Sequence, residues 1–308
     1  MSELKKPTVW WVQCKPFPPE LRDSDECQEF QKECYNDKFF GMGWRWDDFK
    51  RYEGQTFTWE IANSLRDIIT KNKSSARAFS AAQNKYARMC PGDIVLTKLQ
   101  DNYYAGIISF SPKISTHARL SWYSEVEEWK RLGKSTELPH HVRGKLSSQK
   151  YHGTVAEIDG LSAYTILEKV GVKIPEKPML NATSFVEALG DEDLEDLMAH
   201  YMIFQKPGYV FLPSSCKKNT PEIEYVMYDP ETDETICCQT KINREIDVGI
   251  YAENPYKDYK KIYLYSQKGF SDTKRPDNVI IVSNEELYRV FKANKRFKNL
   301  VEEYFELE

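Results

Sequence analysis

Cys90-Pro91-Gly92-Asp93-Ile94-Val95-Leu96-Thr97, followed by Tyr103-Tyr104-Ala105-Gly106-Ile107-Ile108, is the stretch from which the fold can first be read. Proline presets φ and glycine accepts positive φ, so Pro91-Gly92-Asp93 makes a turn. It feeds the β-rich run Ile94–Leu99. Asp101-Asn102 turns the chain back into Tyr103–Phe110, and the pair reads as a β-hairpin. Outward from it, Thr8–Cys14 holds Val9-Trp10-Trp11-Val12, a core strand. Phe39–Trp46 reads as a strand ending in a turn, and Leu120–Val126 and Thr154–Ile158 are further strands. Asp47-Asp48 caps a short helix through Arg51. Thr58–Lys71 carries Ile61, Leu65, Ile68 and Ile69 at helical spacing, and Ala76–Met89 is an Ala-rich helix. Residues 18–37 are charged, with apolar spacing too weak to define an element. The sum is a small β-barrel of five or six strands with helices inserted in its first half.

The chain has 308 residues, a length that suggests two domains. Apolar residues make up 41% and charged residues 29%, which excludes a disordered chain. The longest apolar runs, such as Ile280-Ile281-Val282, fall far short of the roughly 18 residues of a membrane helix. Met1 to Pro7 is polar and lacks a signal core, so the expected location is the cytoplasm. Seven scattered Cys in so large a chain fit reduced thiols. The net charge is −4, without a global basic footprint. It divides unevenly: residues 1–165 sum to +3 and residues 166–308 to −7. All seven Trp lie in the first part. A short helix at about 161–170 precedes Gly171, Pro175, Pro178 and Asn181-Ala182-Thr183, a connecting stretch. The expected division is residues 1–165, a linker at 166–180, and 181–308.

The order of these segments resembles a known family. The hairpin phrase, the opening Val9-Trp10-Trp11-Val12, Gly41-Met42-Gly43-Trp44 with Asp47-Asp48-Phe49, Arg119-Leu120-Ser121-Trp122-Tyr123, Leu138-Pro139 and Gly153-Thr154-Val155-Ala156-Glu157-Ile158 are similar to the PUA-like β-barrels, nearest the EVE-like and YTH-like modules. The likeness covers roughly residues 7–160 and points to the N-terminal modules of some modification-dependent restriction proteins. Such modules hold a nucleobase, often modified, in an aromatic pocket. A base taken out of its stack regains on the order of 1–3 kcal/mol on an aromatic face. Trp44, Trp46, Trp59 and Trp122 are the base-binding candidates, with Tyr123 and Tyr104 behind them. In an extended Trp44-Arg45-Trp46 the two indoles share a face. Lys98, Arg119, Arg143 and Lys145 are the candidates for phosphate contacts.

In the second part Ser184–Leu189 reads as a short helix. Asp191–Phe204 is a longer one, with Leu194, Leu197, Met198, Tyr201 and Met202 as its apolar stripe and acids in its first turn. Pro207-Gly208 ends it. Tyr209–Leu212, Glu222–Tyr228 and Thr235–Ile242 form a strand meander, with Asp229–Glu234 as its polar turn. Ile262–Tyr265 and Val279–Val282 are further strands, and helices close the chain from Asn284 to Phe305. This is a mixed α/β sandwich.

The meander, ending in Gln239-Thr240-Lys241, is similar to the PD-(D/E)XK nuclease fold in its Gln-x-Lys variant, over about residues 185–292. The fold class expected is therefore a two-domain α+β or α/β chain: a PUA-like barrel, then a sandwich of restriction-endonuclease-like type. Phosphodiester hydrolysis in that fold uses a hard divalent cation, Mg²⁺ or Mn²⁺, on oxygen ligands. With period two along a strand, Gln239 and Lys241 share a face, as do Glu222 and Glu224. The resemblance makes Glu224, Gln239 and Lys241 catalytic, with a helix acid, Glu195 or Glu192, as a further member. Glu222, Glu224 and Gln239 are the metal-ligand candidates, with Asp229 as an alternative acid. The sequence departs from the family in offering Glu where an Asp is usual and a neutral Gln for the last acid.

Other chemistry is absent from the sequence. Cys27 and Cys34 lack zinc-finger spacing, and the adjacent Cys237 and Cys238 point to opposite faces of a strand. His140, His141 and His152 have no partner set, and Gly41-Met42-Gly43 lacks the rest of a phosphate-binding loop. The expected function is a modification-dependent DNA endonuclease in defence against foreign DNA, with modified duplex DNA as partner. Homodimerisation is an option of that fold. The alternative is an inactive reader of modified DNA or RNA. The only basic clusters in sight for a DNA-facing surface are Lys217-Lys218 and Lys260-Lys261.

Overall fold

The computed structural model describes residues 6–14, 25–42, 47–69, 84–115, 120–147, 155–173, 177–215, 222–242, 244–271 and 274–308. It divides into two compact units, Met1–Pro175 and Glu176–Glu308. The architecture is mixed α+β, with several separate sheets. No helix among the described residues is long and apolar enough to cross a membrane.

The strands of the first unit are β1 (Val9–Val12), β2 (Phe39–Met42), β3 (Ile94–Leu99), β4 (Asn102–Ile107), β5 (Lys113–Ile114), β6 (Trp122–Glu125), β7 (Lys130–Lys134) and β8 (Val155–Ile158). Its helices are α1 (Asp25–Asn36), α2 (Trp59–Ile69), α3 (His140–Ser147) and α4 (Gly160–Lys169). The hairpin is β3–β4, and the five-stranded sheet runs β7-β4-β3-β1-β8. β1 pairs parallel with β3 and antiparallel with β8. Its four residues are all buried because each face meets a different core. Trp10 and Val12 join Phe30, Phe40 and Trp122. Val9 and Trp11 join Ile94, Leu96 and Ile158, on the side of Val142, Ala163 and Ile166 from α3 and α4. Asp93, in the turn before β3, fastens β1. One oxygen accepts from Thr8 N at 3.0 Å, and the other accepts from Trp10 Nε1 at 2.9 Å.

The expected barrel is not formed. β2, β6 and β5 make a separate three-stranded sheet across the first core. The isolated bridge between Ile108 and Val126 is where β4's extension meets that of β6, and no closed barrel exists among the described residues. The physical reason is the second core: β1 and β3 bury both faces, so helices cover the side that a small barrel leaves outside. Gly106 marks the tight approach of β4 to the following segment. A Cβ there would lie 2.8 Å from Glu128 O and 2.9 Å from Val126 Cβ. α1, β5, β7 and α3 were not foreseen. Of the helix expected at Ala76–Met89, residues 84–86 are helical and 76–83 lie outside the described residues.

The second unit holds β9 (Met179–Leu180), β10 (Val210–Leu212), β11 (Tyr225–Asp229), β12 (Glu234–Lys241), β13 (Lys261–Ser266), β14 (Val279–Ile281) and β15 (Glu306–Leu307). Its helices are α5 (Phe185–Ala188), α6 (Asp191–Gln205), α7 (Asn284–Ala293) and α8 (Lys295–Val301). The sheet runs β10-β11-β12-β13-β14, antiparallel through the meander and parallel from β12 onward. The α6 stripe Leu194, Leu197, Met198, Tyr201 and Met202 is buried, as its spacing requires. A second core of Cys237, Tyr251, Ile262, Leu264 and Val279 lies on one face of the sheet. The second strand of the meander starts at Tyr225, not Glu222, so Glu222 and Glu224 precede it.

Candidate active site

Antiparallel register decides which side chains meet. Val226 faces Cys237 and Tyr225 faces Cys238, so Glu224, one residue earlier, faces Gln239. The ladder continues there, Glu224 N donating to Cys238 O at 2.9 Å. Directly opposed residues share a face. Gln239 Nε2 therefore donates to Glu224 Oε1. Lys241, two residues further along the same face, places Nζ 2.6 Å from that oxygen. The structure thus brings together three of the four residues expected to be catalytic.

Burial sets the electrostatics. Gln239 is 1% exposed, and its Oε1 has no hydrogen-bond partner. A buried amide oxygen without a donor costs free energy, and a cation would remove that cost. The Lys241 and Glu224 side chains are about one-fifth exposed, at 21% and 19%. The two charged side chains are thus partly screened from water. Ser266, buried, is the register partner of Lys241 on β13. No local signal marks Ser266, since parallel pairing joins segments far apart in sequence.

The remaining acids lie elsewhere. Tyr225 and Cys238 project to the α6 side, where Tyr225 Oη donates to Glu195 O at 3.2 Å. Glu195 stands on that helix side, whereas Glu224, Gln239 and Lys241 alternate to the other. The Glu192 side chain lies outside the described residues. The backbone carbonyl of Glu222 accepts from the Tyr251 hydroxyl at 3.0 Å. Burial and then the Glu222 charge push the Tyr251 phenol well up. Asp229 ends β11, roughly 17 Å along the strand from Glu224. It is buried and bound to Lys206 at 2.6 Å, apart from the Glu224 cluster. The Lys206 hydrogen bond holds its carboxyl below the ordinary value. Burial pushes the Cys238 thiol well up. Among the described residues no group of three or more His, Cys, Asp or Glu is placed to hold a metal. The donor set is one carboxylate and one amide oxygen. Both are oxygen donors of the kind Mg²⁺ takes, although Gln239 turns its amide nitrogen, not its oxygen, to Glu224.

In the first unit Trp44, Trp46 and Arg119 lie outside the described residues. Trp59 opens α2 and is 45% exposed. Trp122 is fully buried, with ring centroids 5.6 Å from Phe57 and 4.7 Å from Tyr86, so it is core and not pocket wall. Its strand alternates it inward and Tyr123 outward. Tyr123 packs edge-on against Phe110 at 5.7 Å and lines an open cavity of about 540 Å³ with Phe39, Leu120 and Ser115. Glu33, Asp37 and Glu125 also line it, acids that the sequence reading did not single out. Tyr104 is half-buried against Tyr35, centroids 5.1 Å apart. Lys98 is exposed on β3. Arg143 is half-buried on α3, and Lys145 is on the same helix with its side chain outside the described residues.

No family model matches the chain, and no curated protein matches it. One solved structure, "Structure of EndoMS-dsDNA2 complex", is similar at 13% identity and a TM-score of 0.20, over 70% of this chain. The chain spans 62% of that neighbour's length. A likeness of that size identifies neither fold nor function.

Proposed function

We propose that the second unit is a divalent-metal-dependent phosphodiesterase acting on DNA, of the PD-(D/E)XK type, and that the first is a PUA-like module that reads a base. In this reading residues 1–165 select a modified duplex, 166–180 connect, and 181–308 cut it, as a defence against foreign DNA. Duplex cleavage would pair two copies, one per strand. The observation that carries the reading is the meeting of Glu224, Gln239 and Lys241 on one sheet face, with the Gln239 amide oxygen buried and unpartnered.

Glu224 and the Gln239 amide oxygen would hold Mg²⁺ or Mn²⁺. The ion, when bound, lowers the pKa of its water and neutralises charge on the phosphoryl oxygens. The chain's own groups do the rest. Glu224 Oε1 already gathers two donors, so its orientation is fixed before substrate arrives. Lys241 carries its ammonium from Glu224 toward a nonbridging phosphate oxygen, where it meets charge that grows toward the transition state. Gln239 contributes no charge, so the site holds its cation less tightly than a two-carboxylate site.

The test is nicking of modified and unmodified duplex DNA with Mg²⁺ or Mn²⁺, comparing wild type with Lys241→Ala. Cleavage of the modified duplex, lost in the variant, is the expected result. Binding without cleavage on every substrate would replace this reading with that of an inactive reader.

A further inference from the structure

The sequence offered Lys217-Lys218 and Lys260-Lys261 as the basic clusters for a DNA-facing surface. Lys217 and Lys218 lie outside the described residues. Lys261 opens β13 opposite Ile236, five residues and roughly 17 Å from Ser266, at the far end of the sheet from Lys241. Lys260 is spent on Glu234 at 3.2 Å. The cations beside the site are different ones, and tertiary structure places them there.

The loops that follow β12 and β13 are joined at their base by one buried hydroxyl. Ser266 Oγ donates to Arg244 O at 2.9 Å and accepts from Lys268 N at 3.1 Å. Gln267 N donates to Lys241 O at 3.0 Å. Ile246 and Phe270 add a parallel bridge, with Ile246 N on Gly269 O at 3.2 Å and Ser271 N on Ile246 O at 3.0 Å. Both loops therefore leave the sheet at the Lys241 end, held to each other. Arg244 and Lys268 are exposed and form no ion pair with a described residue. Asp247 accepts from Gly249 N and Ser271 Oγ at 2.9 Å each, both through Oδ1, and it and Glu245 are two exposed acids on the same loop.

We infer that Arg244 and Lys268 are a two-cation clamp for consecutive backbone phosphates of a nucleic-acid strand crossing the Lys241 end of the sheet. The inference rests on the proposed site and deepens it. Neither cation is part of the chemistry. They hold the strand in register, and the Ser266 bridge fixes the backbone from which both project. Phosphate contacts of this kind position without reading sequence.

The experiment measures binding of the full chain to a fluorescein-labelled duplex by anisotropy, with Ca²⁺ replacing Mg²⁺, across about 50 to 200 mM salt. Wild type is compared with Arg244→Gln, Lys268→Gln, Arg244→Lys and, as a far-end control, Lys260→Gln. Nicking by each is followed separately with Mg²⁺. We expect each neutralised cation to lower the salt slope by about one unit, so that the loss across that range shrinks by roughly threefold. Arg244→Lys should keep the slope and Lys260→Gln should leave it unchanged. An unchanged slope in both neutral variants overturns the clamp while wild-type nicking preserves the nuclease reading. A wild type that binds through the two cations but never nicks keeps the clamp and ends the nuclease reading. A wild type that neither binds nor nicks ends both.

Discussion

Lys241 Nζ stands 2.6 Å from Glu224 Oε1, reaching diagonally between neighbouring antiparallel strands. The contact follows from the register, which sets Gln239 directly opposite Glu224 and Lys241 two residues beyond. An ammonium held by a carboxylate in a half-closed site is ready to meet phosphate charge. Lys241→Ala should lower nicking by roughly 10²–10³, the usual size for losing one such donor. Glu224→Gln should abolish it. Gln239→Glu adds a second carboxylate and should lower the Mg²⁺ concentration needed for half-maximal nicking, read from a metal titration.

Trp122 and Trp59 were equal as pocket candidates and are opposite in the structure. Trp122→Ala empties a packed aromatic site and should cost about 3–5 kcal/mol in urea unfolding. Trp59→Ala, at an exposed helix start, should stay within about 0.5 kcal/mol. If Trp59 is a stacking platform, its loss should weaken binding of the modified duplex by about 1–3 kcal/mol with stability kept. Acrylamide should quench Trp59 and leave Trp122 untouched.

The Lys206–Asp229 pair ties stability to pH at both ends of the scale. Hydrogen bonding to Asp229 and Glu231 raises Lys206 from 10.5 to about 12. Its stabilisation is full below 10.5 and is lost as pH rises through about 12. Asp229 is held below 3.8, so its stabilisation is full above 3.8 and is lost as pH falls through its folded value. Lys206→Met should therefore be less stable than wild type across neutral pH, with the gap closing as pH falls below 3.8 through the folded value of Asp229 and as it rises through about 12. Urea midpoints measured across pH check this, and added salt should narrow the gap.

Ser283 and Glu286 form a capping box on α7. Ser283 Oγ accepts from Glu286 N at 3.2 Å, and Glu286 Oε2 accepts from Ser283 N at 2.9 Å. The second carboxylate oxygen accepts from Tyr201 Oη on α6 at 3.1 Å, so the cap also ties two helices. Ser283→Ala should cost about 1 kcal/mol in thermal or urea unfolding. Glu286→Ala should cost more, because Tyr201 loses a partner too.

Local information in the sequence determined the elements whose signal is local. Pro91-Gly92-Asp93 and Asp101-Asn102 bracket a hairpin, and the α6 stripe recurs at helical spacing, so each could be read from its own residues. Strand alternation likewise put Gln239 and Lys241 on one face. Tertiary structure decided what depends on register between distant segments. It set Glu224 against Gln239 and Lys241, left Asp229 at the far end of its strand, sent Glu195 to the other side of the sheet, and put Ser266 beside Lys241. It also buried Trp122 while leaving Trp59 in water. It opened the expected barrel, because β1 turns Val9 and Trp11 into a second core that helices cover. Periodicity says which residues share a face. Only pairing, which joins residues far apart in sequence, says what that face meets.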